Sequence, residues 1–165
     1  MVLTEWEEAR WFNDLQRVNA VRGQGRNKLR TYRLFKNDFA TESYVQMNMS
    51  IAQRRAIAQF RTGVAPLALE TGRYIGTPAE ERYCFHCKEF GSQVVENEEH
   101  VILACPLYNS IRSKFLEKII DPEYGSLPNA EKMSFILAND SIVFQSAKFL
   151  QEVLKCRRAC LLMAT

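Results

Sequence analysis

The chain has 165 residues, 47% of them hydrophobic and 25% charged, with a formal net charge of +3, which suits one compact domain with a real core and leaves little room for two. Seven glycines and five prolines are too few for a disordered or repeat-built chain, and no run of about 18 apolar residues offers a membrane span. Five cysteines form an odd set, and the start lacks the basic segment and apolar run of a signal peptide, so we expect an intracellular protein, nuclear or cytoplasmic, with reduced thiols.

In chain order, Thr4 and Glu7 stand at capping-box spacing, and the pattern from Trp6 through Leu15 predicts a helix over residues 4–22. Gly23 and Gly25 end it, because two glycines within three residues weaken a helix and permit a left-handed turn. Residues 28–36 read as a short basic helix with Leu29, Tyr32 and Phe35 on one side. Ser50 is the expected N-cap of a helix over 51–62, with Ile51, Ile57, Ala58 and Phe60 apolar and Gly63 as its stop.

Residues 66–83 are broken by Gly72, Gly76 and Pro78 and predict a turn-rich approach, with a short helix at 67–70. Pro106 suits the first position of a helix over 106–120, in which Leu107, Ile111, Phe115 and Ile119 recur every four residues. Helices are further expected over 129–138 and 141–162, the last with Phe144, Phe149, Val153, Leu154 and Leu161 apolar. The fold class is therefore mainly α: a small helical domain of basic N-terminal helices (1–63), a metal-binding region (64–108) and C-terminal helices (109–165). A short β-hairpin at the metal is the one strand pairing the pattern allows.

The central region reads Cys84, Phe85, His86, Cys87, then twelve residues to His100 and four more to Cys105. Zinc prefers thiolate and imidazole ligands in a tetrahedron, and a two-residue gap lets one tight turn present two sulfurs to one ion. Four protein ligands make a closed site, which argues for one structural Zn2+ and against a catalytic ion with an open position. Residues five apart on a regular helix lie about 140° apart, so His100 and Cys105 cannot face one ion from an undistorted helix, and a helix end or kink is expected at Cys105. His86 is expected to face solvent. Cys156 and Cys160 share a helix face with no second ligand pair available and read as buried apolar thiols.

These residues resemble the C-terminal zinc-binding segment (CCHC type) of reverse transcriptases from animal non-LTR retrotransposons. The likeness runs over about residues 28–115 and rests on Lys28-Leu-Arg-Thr-Tyr32, Phe60-Arg-Thr-Gly-Val-Ala-Pro-Leu67, Glu70-Thr-Gly-Arg-Tyr74, Glu80-Glu-Arg82, the four ligands, and the stretch from Glu98 through Cys105, Pro106 and Tyr108. The resemblance implies a zinc-stabilised helical appendage that helps to hold element RNA or target DNA. The twelve-residue gap departs from the short retroviral-type knuckle, so base grasping by a knuckle is not carried over. Polymerase chemistry needs carboxylates converging on two metal ions, and the aspartates are the scattered Asp14, Asp38, Asp121 and Asp140; no enzyme is expected, and the chain reads as a fragment of such a protein or an independently used remnant.

Charge carries the remaining functional signal. Between residues 15 and 36 lie Arg17, Arg22, Arg26, Lys28, Arg30, Arg33 and Lys36 with no acidic residue, leaving a net −4 for the rest of the chain. The leading expectation is a module that contacts RNA or DNA phosphates through Arg22, Arg26, Lys28, Arg30, Arg33 and Lys36, with Arg54, Arg55 and Arg61 as a second contributor. Tyr32 and Phe35 either stack on unpaired bases or belong to the core. Glu98 and Glu99 are expected to sit at a helix start capped by Asn97. The alternative is a zinc-stapled protein-interaction or scaffolding module, binding a protein partner or a second copy through the long C-terminal helix or the face carrying Trp6, Trp11 and Phe12. No membrane partner is expected.

Overall fold

A computed structural model describes residues 5–16, 29–117, 120 and 122–163. Among these residues the protein is helical: α1 (Glu5–Gln16), α2 (Ser43–Gln46), α3 (Ile51–Thr62), α4 (Ala68–Thr71), α5 (Phe85–Glu89), α6 (Asn109–Phe115), α7 (Asn129–Ala138) and α8 (Val143–Met163), joined by short 3-10 turns. The one strand-like feature described is an isolated antiparallel bridge between Tyr83 and Val95. No described helix is long and apolar enough to cross a membrane.

The body is built on α8, which packs against α3, α6 and α7. Helix α3 shows why the local sequence folds as it does. The Ser50 hydroxyl accepts from the Gln53 N–H while the Gln53 side chain accepts from the Ser50 N–H, so two of the four orphan donors at the helix start are satisfied reciprocally. Ala56, Ile57 and Phe60 then form one buried stripe facing α7 and α8, and full burial of Ile57 and Phe60 stabilises by about 1.5–3 kcal/mol each. Gly63 ends the helix at φ 72°, a left-handed conformation that costs glycine little. Ile51, expected on the apolar face, is instead 83% exposed.

Helices α7 and α3 keep the boundaries expected from the sequence, and α8 shifts by two residues at its start and one at its end. The core joins Tyr44, Phe60, Ile102, Leu137 and Leu150 with the thiols of the metal motif in a single cluster. Leu107, Ile111 and Phe115 pack against it as their four-residue spacing predicts, but the segment opens as a 3-10 turn at Pro106–Tyr108 before α6 begins.

Toward the N-terminus, α1 anchors through buried Leu15 and an edge-on contact between Trp11 and Phe39 with ring centroids 5.2 Å apart. Thr4, the continuation to residue 22, the Gly23–Gly25 turn and Ile119 lie outside the described residues. The basic helix expected over 28–36 is a turn followed by a 3-10 segment, Tyr32–Leu34, with no side-chain cap. Tertiary contacts override the helical pattern there: Tyr32, Phe35 and Lys36 are each drawn toward Glu42 or Arg61.

Candidate metal centre

Two local structures bring the cysteine and histidine ligands together. In the first, the Cys84 N–H donates to Val94 O at 2.7 Å and the Glu96 N–H to Arg82 O at 2.9 Å, closing a loop from 84 to 95 on itself. Inside that loop the one-turn helix α5 presents Cys87, the Ser92 N–H donates back to Cys87 O at 2.9 Å, and Gly91 reverses the chain at φ 79°. Tyr83 and Val95 supply the single bridge where a short hairpin was expected.

The second local structure answers the geometric difficulty posed by His100 and Cys105. Residues His100–Ala104 form a π-helical turn, in which the Cys105 N–H donates to His100 O at 2.7 Å, five residues back. A π turn is wider than an α turn and brings residues i and i+5 toward one side. The backbone then breaks to extended at Cys105 (φ −61°, ψ 122°), and Pro106 starts the following turn, the break expected from the ligand spacing. The Asn97 side-chain oxygen accepts from the His100 N–H at 2.8 Å and caps this turn. At its far end Arg112 donates to the carbonyls of Val101, Ile102 and Cys105, satisfying groups that a helix terminus leaves open.

The result is a cluster of Cys84, Cys87, His100 and Cys105, all four buried, whose ligand atoms lie within 4.8 Å of one another. Cys84 Sγ is 3.8 Å from Cys105 Sγ, Cys87 Sγ is 3.9 Å from Cys105 Sγ, and Cys87 Sγ is 3.3 Å from His100 Nε2. These spacings are far beyond the S–S bond of about 2 Å in a disulfide. Hydrogen bonding with Cys105 pulls the Cys84 thiol down to about 3 against the effect of burial, and the same bond, with burial second, pushes Cys105 well up. Thiolate character is what a metal needs of a sulfur ligand.

Around the cluster stands a set of buried ion pairs. Glu96 is fully buried; its carboxylate accepts two hydrogen bonds from Arg157 of α8, at 2.9 and 2.6 Å, and one from the Ala68 N–H at 2.6 Å. Glu98, expected as a helix-start residue acting through the dipole, is buried and accepts two hydrogen bonds from Arg30, at 3.1 and 2.6 Å. Glu99 accepts from the Asn129 side chain at 2.8 Å. Sequence separation of more than 60 residues hides the Glu96 and Glu98 pairs from any local pattern.

The basic residues expected to meet phosphates fall into three groups. Arg22, Arg26 and Lys28 lie outside the described residues. Arg30, Lys36, Arg54 and Arg61 are used within the fold: Lys36 pairs with Glu42 at 2.9 Å and Asp38 at 3.1 Å, Arg54 donates to Met47 O at 3.0 Å, and buried Arg61 pairs with Glu42, donates to Leu137 O and lies 4.6 Å from the Phe35 ring centre and 5.2 Å from that of Tyr44. Arg33 and Arg55 make no side-chain hydrogen bond or ion pair with other described residues. Tyr32 and Phe35 meet each other edge-on and flank Arg61, the core alternative of the two readings open for them.

His86 stands apart from the cluster, half-buried, with its ring 4.9 Å from Phe90. Cys156 and Cys160 also lie outside it and are half-buried rather than buried; Cys156 packs against the core, and burial together with the neighbouring thiol pushes it up.

Fold and site together define a helical protein with a buried three-cysteine, one-histidine cluster suited to a metal ion. No family model matches the chain, and neither does any curated protein or solved structure.

Proposed function

We propose that this chain is a non-catalytic binding module whose helical body is closed by one structural zinc ion on Cys84, Cys87, His100 and Cys105. The supporting observation is the sulfur spacing. A tetrahedron with Zn–S bonds of about 2.3 Å separates its sulfurs by about 3.8 Å, and Zn–N of about 2.0–2.1 Å sets sulfur and nitrogen about 3.6 Å apart; the observed separations are 3.8, 3.9 and 3.3 Å. Three soft thiolates and an imidazole favour zinc over magnesium or calcium, which prefer oxygen. Four protein ligands leave no position for a reacting water, so the ion supplies folding energy.

Nucleic acid is the partner class we assign, with RNA and DNA both open. Its support is the resemblance to the zinc-binding segment of non-LTR retrotransposon reverse transcriptases, the acid-free basic stretch holding Arg22, Arg26, Lys28 and Arg33, and the absence of an internal partner for Arg33 among the described residues. Internal pairing of Arg30, Lys36 and Arg61 narrows the contact surface to that stretch.

The test uses zinc-loaded protein, verified by metal analysis, titrated against labelled single-stranded RNA and duplex DNA across a salt series. Binding whose logarithm falls linearly with log salt, losing about 0.9 of slope on duplex DNA or about 0.7 on single strands for each phosphate contact removed, supports the reading. Arg22, Arg26, Lys28 and Arg33 changed together to Gln should flatten that slope while melting is unchanged. No binding at low salt removes nucleic acid as the partner.

A further inference from the structure

A large open concavity lies away from the metal cluster, between α3 and the C-terminal half of α8. It encloses about 810 Å³ and is lined on one side by Ile51, Arg55 and Pro66 and on the other by Leu154, Arg158 and Leu161, among others. Its floor is aliphatic. Its rim is cationic: Arg55, Lys155 and Arg158 line it, and no carboxylate does. Lys155 is paired with Glu152 at 2.7 Å, while the side chains of Arg55 and Arg158 make no hydrogen bond or ion pair with other described residues. Arg157, the fourth cation on the lining, is held by Glu96.

We infer that this groove docks an acidic amphipathic helix of a partner protein. The α8 residues along it run from Gln151 to Leu162, a distance of roughly 16 Å at 1.5 Å per residue, which matches about three turns of a guest helix. Such a helix lays its apolar stripe on Ile51, Leu154 and Leu161 and sets its Glu or Asp residues against Arg55 and Arg158, the usual division between an apolar centre and a charged rim. Ile51, at 83% exposure within a helix whose neighbours 56, 57 and 60 are buried, gains a contact that the isolated chain does not give it.

Charge and surface chemistry choose this occupant over two others. Single-stranded nucleic acid would meet the arginines, but it takes much of its affinity from aromatic faces on which bases stack, and no aromatic side chain lines the groove. A basic helix would be repelled by Arg55 and Arg158, which have no counter-ion among the described residues. The inference stands independently of the nucleic-acid assignment, which rests on residues 22–33.

The experiment uses the full zinc-loaded chain and two fluorescent synthetic helical peptides with the same Leu/Ile stripe, one with Glu and one with Lys on the polar face, beside a labelled uridine oligonucleotide. The Glu peptide is expected to bind at least tenfold more tightly than the Lys peptide. In the Arg55→Glu/Arg158→Glu variant the preference should invert, and Ile51→Asp should abolish binding of both peptides, with helical content and metal content unchanged in each variant. Failure of both peptides to bind, equal binding of the two, or a preference that survives the charge reversal overturns the inference. So does displacement of the Glu peptide by the oligonucleotide, or sedimentation showing that a second copy of the chain fills the groove.

Discussion

Arg157, in the C-terminal half of α8, holds the fully buried Glu96 through two parallel hydrogen bonds, 61 residues back along the chain and nine residues beyond Cys87. The same carboxylate accepts from the Ala68 N–H at the start of α4. One acidic side chain therefore ties the long helix, the turn-rich approach and the metal loop together. Arg157→Met should destabilise the metal-loaded protein by about 3–5 kcal/mol, because it leaves a carboxylate buried without its counter-ion. Glu96→Met combined with Arg157→Met should recover part of that loss, since two apolar side chains replace the pair and only the Ala68 N–H is orphaned. Urea unfolding of the single and double variants measures both, and a single variant with unchanged midpoint would contradict the role assigned to the pair.

Cys84→Ser or Cys105→Ser should remove bound zinc and unfold the segment from 83 to 108, with amide protection lost there first; a chelator should do the same to the unaltered chain. A variant that keeps its melting temperature would refute a structural ion.

The ligands bind metal in their deprotonated forms, so the folded, loaded state holds their pKa values below the unfolded values of about 8.5 for Cys and 6.5 for His. The sign follows: zinc-linked stability is fully present above the unfolded values and is lost as pH falls. Zinc affinity measured by competition with a chromogenic chelator should drop steeply between about pH 8 and pH 6, with proton release on binding visible as a buffer-dependent heat.

Arg61 and Arg55 lie on one helix six residues apart, yet they should behave oppositely. Arg61→Met removes the cation that Glu42 and the Leu137 carbonyl share and should cost about 1–3 kcal/mol, because Glu42 keeps Lys36 while the carbonyl loses its donor, whereas Arg55→Met, on an exposed site without a side-chain partner among the described residues, should leave thermal stability nearly unchanged. Equal effects in a melting experiment would contradict the buried placement of Arg61.

Asn97→Ala deletes the cap on the His100 N–H and should cost about 1 kcal/mol, with a matching loss of zinc affinity because the π turn that aims His100 starts there. Loss of stability in the metal-free protein alone, with affinity unchanged, would separate the cap from the site.

Local patterns carried much of this structure. Helix α3 was legible because its signals are contiguous: Ser50 and Gln53 make the capping box, three apolar residues make the stripe, and Gly63 provides the left-handed stop. The four ligands were legible because a metal constrains spacing as well as residue type, and the break at Cys105 followed from helix geometry with Pro106 as its cause. That the turn before it is π-helical was not legible, because the widening depends on Asn97 at one end and Arg112 at the other closing hydrogen bonds across the turn.

Charge was where sequence reading fell short. The stretch from Arg17 to Lys36 reads as one basic surface, but pairing of Arg30 with Glu98 and of Lys36 with Glu42 divides it, and Arg61 passes from the polar face of α3 into a pocket of aromatic rings. Burial of a charge is decided by whether a partner meets it in the folded chain, across 68 residues for Arg30 and across six for Lys36, at separations that no helical or strand period marks. The amino-acid sequence by itself determined the helical class, the ends of α3 and α7, and which three cysteines and one histidine cluster, all of which follow from interactions within a few residues or from the spacing that a metal site demands. Tertiary structure alone decided which cations are spent inside the fold and which, like Arg55 and Arg158, have no side-chain partner among the described residues beside an apolar groove, because that depends on which helices pack together.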